Sequence, residues 1–479
     1  MSARTRELFG LIPVSLLVAA GFAAVLATRT EDVSDATLTY GAVFLGLCVL
    51  AHLFIRSRLP EADPYMFPLG ALLAAIGLVL IYRIDTELAR EQAQWFVVGL
   101  ILFCGTILVV RDHHVLERYR YLIAAGSIAL LLMPRLPGIG AQVNGAFLAI
   151  KLGPIQFQPA EFAKLGIIVF LASYLRETGD ILVRPRLRPL PGMSQLLLYG
   201  GPAVLTLLAI LVLGLGAAGS VLLIVFVASL VAVLRERPSP KHFGPLLLVW
   251  GMAMLMLIVI RDLGSSLMFF GGFLALLYVA TGRLSLIGVG STMFFAGSFF
   301  LARNVSHVQD RVDIWLDPFK PGVVDDEGYQ IAQSLFAQAD GGLFGRGFGE
   351  ALIEFGGTSI IPAAHTDLIY AVLVNEAGLF GAAGVIGAYL LLSFRGFKTA
   401  MLANDGFSKL LATGLTAVLA MQVFVIVGGV TRVIPLTGVT LPFVSYGGSS
   451  IVANMVLLAL LLIVSDHARS EGIRRGGLV

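Results

Sequence analysis

The residues best suited to chemistry fall in four short stretches. His365-Thr366-Asp367 ends a long polar segment and opens an apolar one. A carboxylate at the mouth of a cavity can act as a general base; the competing reading is that Thr366 or Asp367 caps the next helix. His365 is one of seven histidines and has no second histidine beside it, so the stretch does not spell a metal site. Glu161 and Lys164 stand at i and i+3 within Gln158–Lys164, on one helix face behind Pro159, a residue suited to a first turn. An ionisable side chain in a membrane span costs about 2.5–3.5 kcal/mol on insertion scales, which makes such a pair a functional candidate or a pair that eases insertion. Arg261-Asp262 interrupts apolar text and offers a cation and a carboxylate, with Asp262 also placed to cap the helix that follows. The stretch from Pro435 to Ser450 holds two prolines and three glycines among the hydroxyls of Ser445, Tyr446, Ser449 and Ser450. Such a stretch breaks a helix, and irregular backbone at membrane depth is tolerated only against protein or a wet cavity. A plain outer loop is one reading; the density of hydroxyls and free amides favours a ligand-facing re-entrant segment. Glu376, beside Asn375 and deeper in the apolar run after Asp367, calls for a partner.

These stretches need elements to hold them, and composition says what the elements are. Of 479 residues, 57% are hydrophobic and 13% charged, against about 25% charged in soluble domains. At about 20 apolar residues per span, the text divides into fourteen runs, from Leu8–Thr28 to Gly447–Ser465. They include Trp95–Val110, the short Tyr121–Pro134, Pro159–Leu175 and Leu368–Leu392. With a cytoplasmic N-terminus, every second connection is the basic one, holding most of the 33 Lys and Arg. The net charge of +3 therefore reflects orientation in a bilayer, not a nucleic-acid partner. Both termini are expected in the cytoplasm. The segment 302–366 has no span, is rich in aromatics and glycines, and is expected to fold over the outer surface, where chemistry would sit. Cys48 and Cys104 lie inside apolar runs and imply no disulfide framework. The sequence carries no Walker loop and no dinucleotide fingerprint, which argues against a pump or a soluble-cofactor enzyme.

Taken in order, these motifs resemble the SEDS family (shape, elongation, division and sporulation), whose members include RodA and FtsW. The match rests on Gln158–Lys164, Arg261-Asp262-Leu263-Gly264, and Tyr329-Gln330 with Gln333-Ser334 followed by Gly341–Gly345. It continues through Pro362 with His365-Thr366-Asp367, Pro442–Ser450, and Arg311 with Asp317-Pro318. Thr437 before Gly438 leans toward the RodA side. The resemblance implies an all-α polytopic protein of the bacterial cytoplasmic membrane with a ten-helix core. Residues 1–63 would add two helices before that core, 64–195 form its first part, 196–241 insert a hairpin, and 242–479 complete it. It implies a peptidoglycan glycosyltransferase acting on lipid II outside the membrane, with a class B penicillin-binding protein as partner. The family's catalytic carboxylate falls on Asp367. Its substrate-binding positions fall on Glu161, Lys164, Arg261, Asp262, Arg311, Gln330, Ser334, His365, Thr366, Ser445, Tyr446, Ser449 and Ser450. No organic cofactor is implied; a divalent cation, Mg or Mn, could share the charge. One departure stands out: after Asn144-Gly145-Ala146 the family usually has a basic residue and Trp, where this chain has Phe147-Leu148-Ala149.

Two other functions compete. Broken helices and an intramembrane ion pair also suit a lipid-precursor flippase or transporter, and a non-catalytic scaffold for the penicillin-binding protein would need the same surface. Polar motifs clustered at one side of the membrane favour the enzyme.

Overall fold

The computed structural model describes residues 3–28, 35–143, 146–152, 155–183, 262–304, 306–351, 354–355 and 358–476, with isolated positions between 204 and 231. The described helices, numbered in chain order, begin with α1 (Ala3–Thr28), α2 (Asp35–Arg58), α3 (Met66–Ile84), α4 (Thr86–Val109), α5 (His114–Arg118), α6 (Arg120–Leu132) and α7 (Ala160–Val183). They continue with α8 (Leu263–Thr281), α9 (Leu284–Asn304), α10 (Ser306–Leu316), α11 (Tyr329–Gly341), α12 (Ile369–Leu402), α13 (Gly406–Val430) and α14 (Gly448–Gly476). Eight of the described helices (α1–α4, α8 and α12–α14) are long and apolar enough to cross a membrane. The protein is an all-α polytopic membrane protein, as its composition requires. α7 matches a span in length but carries Glu161, Lys164, Arg176, Glu177 and Asp180. Three of the fourteen apolar runs, Leu196–Gly214, Ala217–Leu234 and His242–Ile260, and with them the hairpin expected at 196–241, lie outside the described residues but for isolated positions.

Helix starts follow local chemistry. Asp85, Asp262 and Asp405 N-cap α4, α8 and α13, their carboxylates accepting from the amides of Glu87 and Leu88, Ser265, and Ser408 at 2.8–3.2 Å. Each such cap contributes about 1 kcal/mol. The expectation that Thr366 or Asp367 caps the next helix is corrected: Leu368 is the N-cap of α12, with no side-chain bond, which leaves both earlier side chains free for other contacts. The run read as beginning at Trp95 is helical from Thr86, because the Asp85 cap starts the helix in polar text. Two short antiparallel sheets, β1-β2-β3 (Gly140–Val143, Ala146–Leu152, Ile155–Phe157) and β4-β5 (Glu354–Phe355, Thr358–Ser359), decorate the bundle.

α13 and α14 form the centre, packed against α7, α8, α12 and α4. At the end of the bundle remote from Asp367, Arg395 of α12 donates to Asp63 at 2.8 Å, and Arg469 of α14 pairs with the same carboxylate. Arg4 reaches the Ala62 carbonyl and pairs with buried Glu7, which also meets His52 at 3.0 Å. These polar contacts bind the first two helices to the rest.

The described residues of the segment 302–366 are folded. α10 and α11 lie in it, and side chains staple it to the bundle. Trp315 Nε1 donates to the Arg432 carbonyl at 3.1 Å while Arg432 Nε donates to the Trp315 carbonyl at 2.8 Å. Gln338 donates to the Val430 carbonyl at 3.0 Å, and Asn375 donates to the Ala337 carbonyl at 2.8 Å. α12 is broken at Gly378, which sits at φ 67°. The carbonyls this frees are taken by the backbone after α11: Arg346 N donates to Asn375 O at 2.9 Å and Gly347 N to Glu376 O at 3.0 Å. The chain passes so close that a Cβ at Gly345 would collide with the Glu376 carbonyl. Glu376 itself pairs with Arg83 of α3 at 3.2 Å, the partner its depth called for. Gly345→Ala, with φ +81° and no room for a side chain, is expected to cost at least about 2 kcal/mol. Gly126→Ala in α6, where a Cβ meets nothing within 4 Å, is expected to be neutral or stabilising, as thermal unfolding in detergent would show.

Candidate active site

Asp367 lies on the wall of a cavity of about 960 Å³ at one end of the bundle. Three irregular or terminal segments converge there. The turn before α12 is held by Ala363 at φ 50°, whose carbonyl accepts from Thr366 N at 3.0 Å. Such a conformation in a non-glycine residue persists only where its surroundings impose it. The link between α13 and α14 supplies that constraint. Ser445 Oγ donates to the Thr366 carbonyl at 2.7 Å, and Tyr446 N donates to the His365 carbonyl at 2.8 Å. Gly438 sits against the carboxylate, its own φ of +73° leaving a Cβ position 3.6 Å from Asp367 Oδ2. The third segment is the start of α14, where Gly448, Ser449 and Ser450 line the cavity. A helix N-terminus presents free amides and a partial positive charge, a setting suited to phosphate.

The lining places most of the sequence-derived candidates together: Asp262, Arg311, Gln330, His365, Thr366, Asp367, Tyr446, Ser449 and Ser450. Four others have different places. Ser445 is buried beneath the surface, where it bridges Thr366 to the Leu441 amide. Ser334 is buried and bonds the Val430 carbonyl at 3.3 Å. Glu161 and Lys164 are buried behind the wall, 3% and 2% exposed. Lys164 Nζ donates to Glu161 at 2.6 Å and to Gln422 Oε1 at 2.8 Å. Gln422 Nε2 in turn donates to the Thr440 carbonyl at 2.8 Å, and the Thr440 hydroxyl to Ser450 at 2.8 Å. The pair therefore holds up the lining rather than forming it. Arg261 lies outside the described residues.

Sequence reading missed one wall. Glu91, Gln94, Trp95 and Val98 of α4 line the cavity. Their spacing of i, i+3, i+4 and i+7 is a single helix face, a signal hidden because the apolar run seemed to start at Trp95. Gln92 behind them accepts from Gly447 N at 3.1 Å and donates to the Ser445 carbonyl at 3.2 Å. Tyr446 donates its hydroxyl to Glu91. Leu148 and Ala149, the departure from the family pattern, face the same cavity as Trp95.

The electrostatics favour a base at Asp367. Burial raises its carboxyl to about 6, with Arg311 pulling the other way. No hydrogen bond holds this carboxylate among the described residues, unlike that of Asp262, which is spent on its cap. Burial keeps the His365 imidazole below its ordinary range. Burial and the contact with Glu91 push the Tyr446 phenol up. Arg311 spends one N–H on the Leu436 carbonyl at 2.7 Å and keeps further donors for a ligand. Carboxylates at Glu91, Asp262, Glu327 and Asp367 outnumber Arg311, the one Lys or Arg among the described lining residues.

A membrane-embedded helical bundle that closes a polar cavity with a stapled surface segment defines the protein as a polytopic membrane protein with a substrate-sized site at one end. A family model described as "Cell cycle protein", FTSW_RODA_SPOVE, matches residues 64–236 and 218–470, and the chain belongs to this FtsW/RodA/SpoVE family, the SEDS family. It is 36% identical over 477 residues to the peptidoglycan glycosyltransferase RodA of Mycobacterium tuberculosis (strain ATCC 25618 / H37Rv), covering 97% of this chain and 91% of that one. It is 27% identical over 424 residues to stage V sporulation protein E of Bacillus subtilis, covering 87% and 100%. Among solved structures, a chain from a peptidoglycan synthase complex that coordinates polymerization and crosslinking is similar at TM-score 0.58 and 26% identity, over 85% of this chain and 98% of that one. A variant of the rod shape determining protein RodA of Thermus thermophilus is similar at TM-score 0.51 and 25% identity, over 84% and 97%.

Removing one partner of a buried ion pair strands the other charge at a cost of about 3–5 kcal/mol. Lys164→Met should therefore lower thermal stability sharply. Adding Glu161→Leu should recover most of the loss, a pattern that equal destabilisation in single and double variants would contradict.

Proposed function

We infer that this protein is a peptidoglycan glycosyltransferase that polymerises glycan strands from lipid II, with Asp367 as general base. The observation that carries the role of Asp367 is a raised, hydrogen-bond-free carboxylate facing a cavity beside an arginine and a helix N-terminus. Family membership supports the reaction class: relatives bear the name peptidoglycan glycosyltransferase, and a structural neighbour belongs to a complex that polymerises and crosslinks. In this reading Asp367 accepts the proton of the acceptor sugar hydroxyl as that oxygen bonds to the anomeric carbon of the donor. The anomeric C–O bond to diphosphate breaks, and undecaprenyl pyrophosphate departs as an anion. A glycosidase needs a second carboxylic acid to protonate its leaving group; a diphosphate leaves without one. Arg311 and the amides at the start of α14 stabilise the departing charge, and neither has to reorganise as it develops.

Arg261 would add a second cation. A divalent cation would supply charge to the diphosphate. Among the described residues the cavity carboxylates do not gather into a three-ligand set, so such an ion would arrive with the substrate's phosphates and be held by no dedicated cage. Trp95, Val98 and Leu148 give the cavity an apolar side, suited to the lipid end of the donor. The cavity faces outside, both termini lie in the cytoplasm, and the crosslinking partner is a class B penicillin-binding protein in the same membrane. The basic connections at the opposite end of the bundle support that orientation.

Asp367→Asn is expected to abolish strand formation from lipid II by the purified protein, measured as products on a gel, while leaving elution and thermal unfolding unchanged. Strand synthesis at the wild-type rate would overturn the assignment. Since the base works ionised and its carboxyl is raised to about 6, the rate should be flat above about pH 7. Below about pH 6 it should fall tenfold per unit.

A further inference from the structure

At the end of the bundle remote from Asp367, three of the seven histidines gather with two aspartates. The rings of His113 and His114 are 4.4 Å apart, and His467 of α14 lies 5.3 and 5.7 Å from them. Ligand atoms of Asp112, His113 and His114 all lie within 4.8 Å of one another. The reaction proposed above uses none of these groups.

Most ring nitrogens of the cluster have a partner: His467 Nε2 meets Glu471 of the same helix at 3.1 Å, a contact the metal would replace. His114 turns Nδ1 toward Asp112 at 2.8 Å and Nε2 toward Asp405 at 3.4 Å. His113 is buried at 1% exposure, and its Nε2 meets the Ser408 hydroxyl. His113 Nδ1 has no hydrogen-bond partner although buried. An orphaned buried nitrogen is costly unless something fills the place of a partner. Metal-bound histidines characteristically have the second nitrogen held by a carboxylate, carbonyl or other polar group, which fixes ring orientation. Asp405 and Ser408 do this for His114 and His113.

We propose that Asp112, His113 and His114 form a transition-metal site of the zinc class, with His467 placed to complete it. Two imidazoles and a carboxylate suit Zn²⁺ better than Mg²⁺ or Ca²⁺, which prefer all-oxygen sets. Tetrahedral ligands at about 2.0–2.2 Å from the ion stand about 3.4 Å from each other, so modest side-chain rotation closes the set. The ion would clamp the connection after α4 to the start of α13, through Asp405 and Ser408, and to the far end of α14. The link between those two helices and the start of α14 line the cavity at the other end of the bundle.

The test uses the full chain in detergent, stripped with chelator and titrated with Zn²⁺ in excess Mg²⁺, which occupies any phosphate-linked site. The expected result is one Zn²⁺ per chain, bound at least about tenfold more weakly by His114→Gln, and a Zn²⁺-dependent rise in thermal stability that the variant loses. His467→Gln, at a half-buried helical position, gives the same reading should His114→Gln elute as aggregate. Zn²⁺ binding that is unaltered in these variants, or no stoichiometric binding to the wild-type chain, would overturn the proposal.

Discussion

The structure depends most on the buried charge of Lys164. An ammonium taken out of water costs several kcal/mol unless it is paired and its protons are met. Here Glu161 and Gln422 meet it, and Gln422 passes the constraint to Thr440 and so to Ser450. One ion pair thus fixes the relation of α7, α13, the link after α13 and the start of α14. That link could not otherwise hold its irregular backbone at this depth, with Phe443 at φ 66°. Ser445 and Tyr446 then transmit the constraint to the Thr366 and His365 carbonyls. The proposed base is rigid because a charge pair one layer away is.

Much of this was legible from residue types. Apolar runs and alternating charge gave the bundle, and the polar motifs marked the segments that meet at the cavity. Asp262 does cap its helix, and it lines the cavity too. What escaped was whatever depended on a neighbour's position. Glu91 and Gln94 form one face with Trp95, but only the convergence with α14 makes that face a wall. A charge pair in a span leaves a functional role and a structural one equally open for Glu161 and Lys164, and only the resemblance implies a place at the substrate; the structure sets Lys164 between Glu161 and Gln422, a residue distant in sequence. The break in α12 was likewise hidden, since Gly378 sits among other glycines and alanines and only the passage of residues 345–347 makes it necessary.

The departure at Phe147-Leu148-Ala149 takes on a different meaning beside α4. A large aromatic ring faces the cavity from Trp95, which packs so closely on the start of α14 that a Cβ at Gly448 would run into the ring. The ring is fixed from behind by backbone, whereas Leu148 and Ala149 project from a short strand. In this chain the aromatic surface of the cavity comes from a helix of the bundle.

Asp63 bears on where this chain could be divided. The family match begins at residue 64, and the first two helices could pass for a detachable leader. Yet the carboxylate that holds Arg395 and Arg469 together belongs to the residue just before that boundary. Its backbone amide is bound to Ser465 at 3.0 Å. A shortened chain starting at the family boundary would bring two arginines face to face at the junction of α12 and α14. The practical cut, for anyone trimming the protein to its shared core, lies before Glu61, whose amide is also anchored to α14 through Asp466.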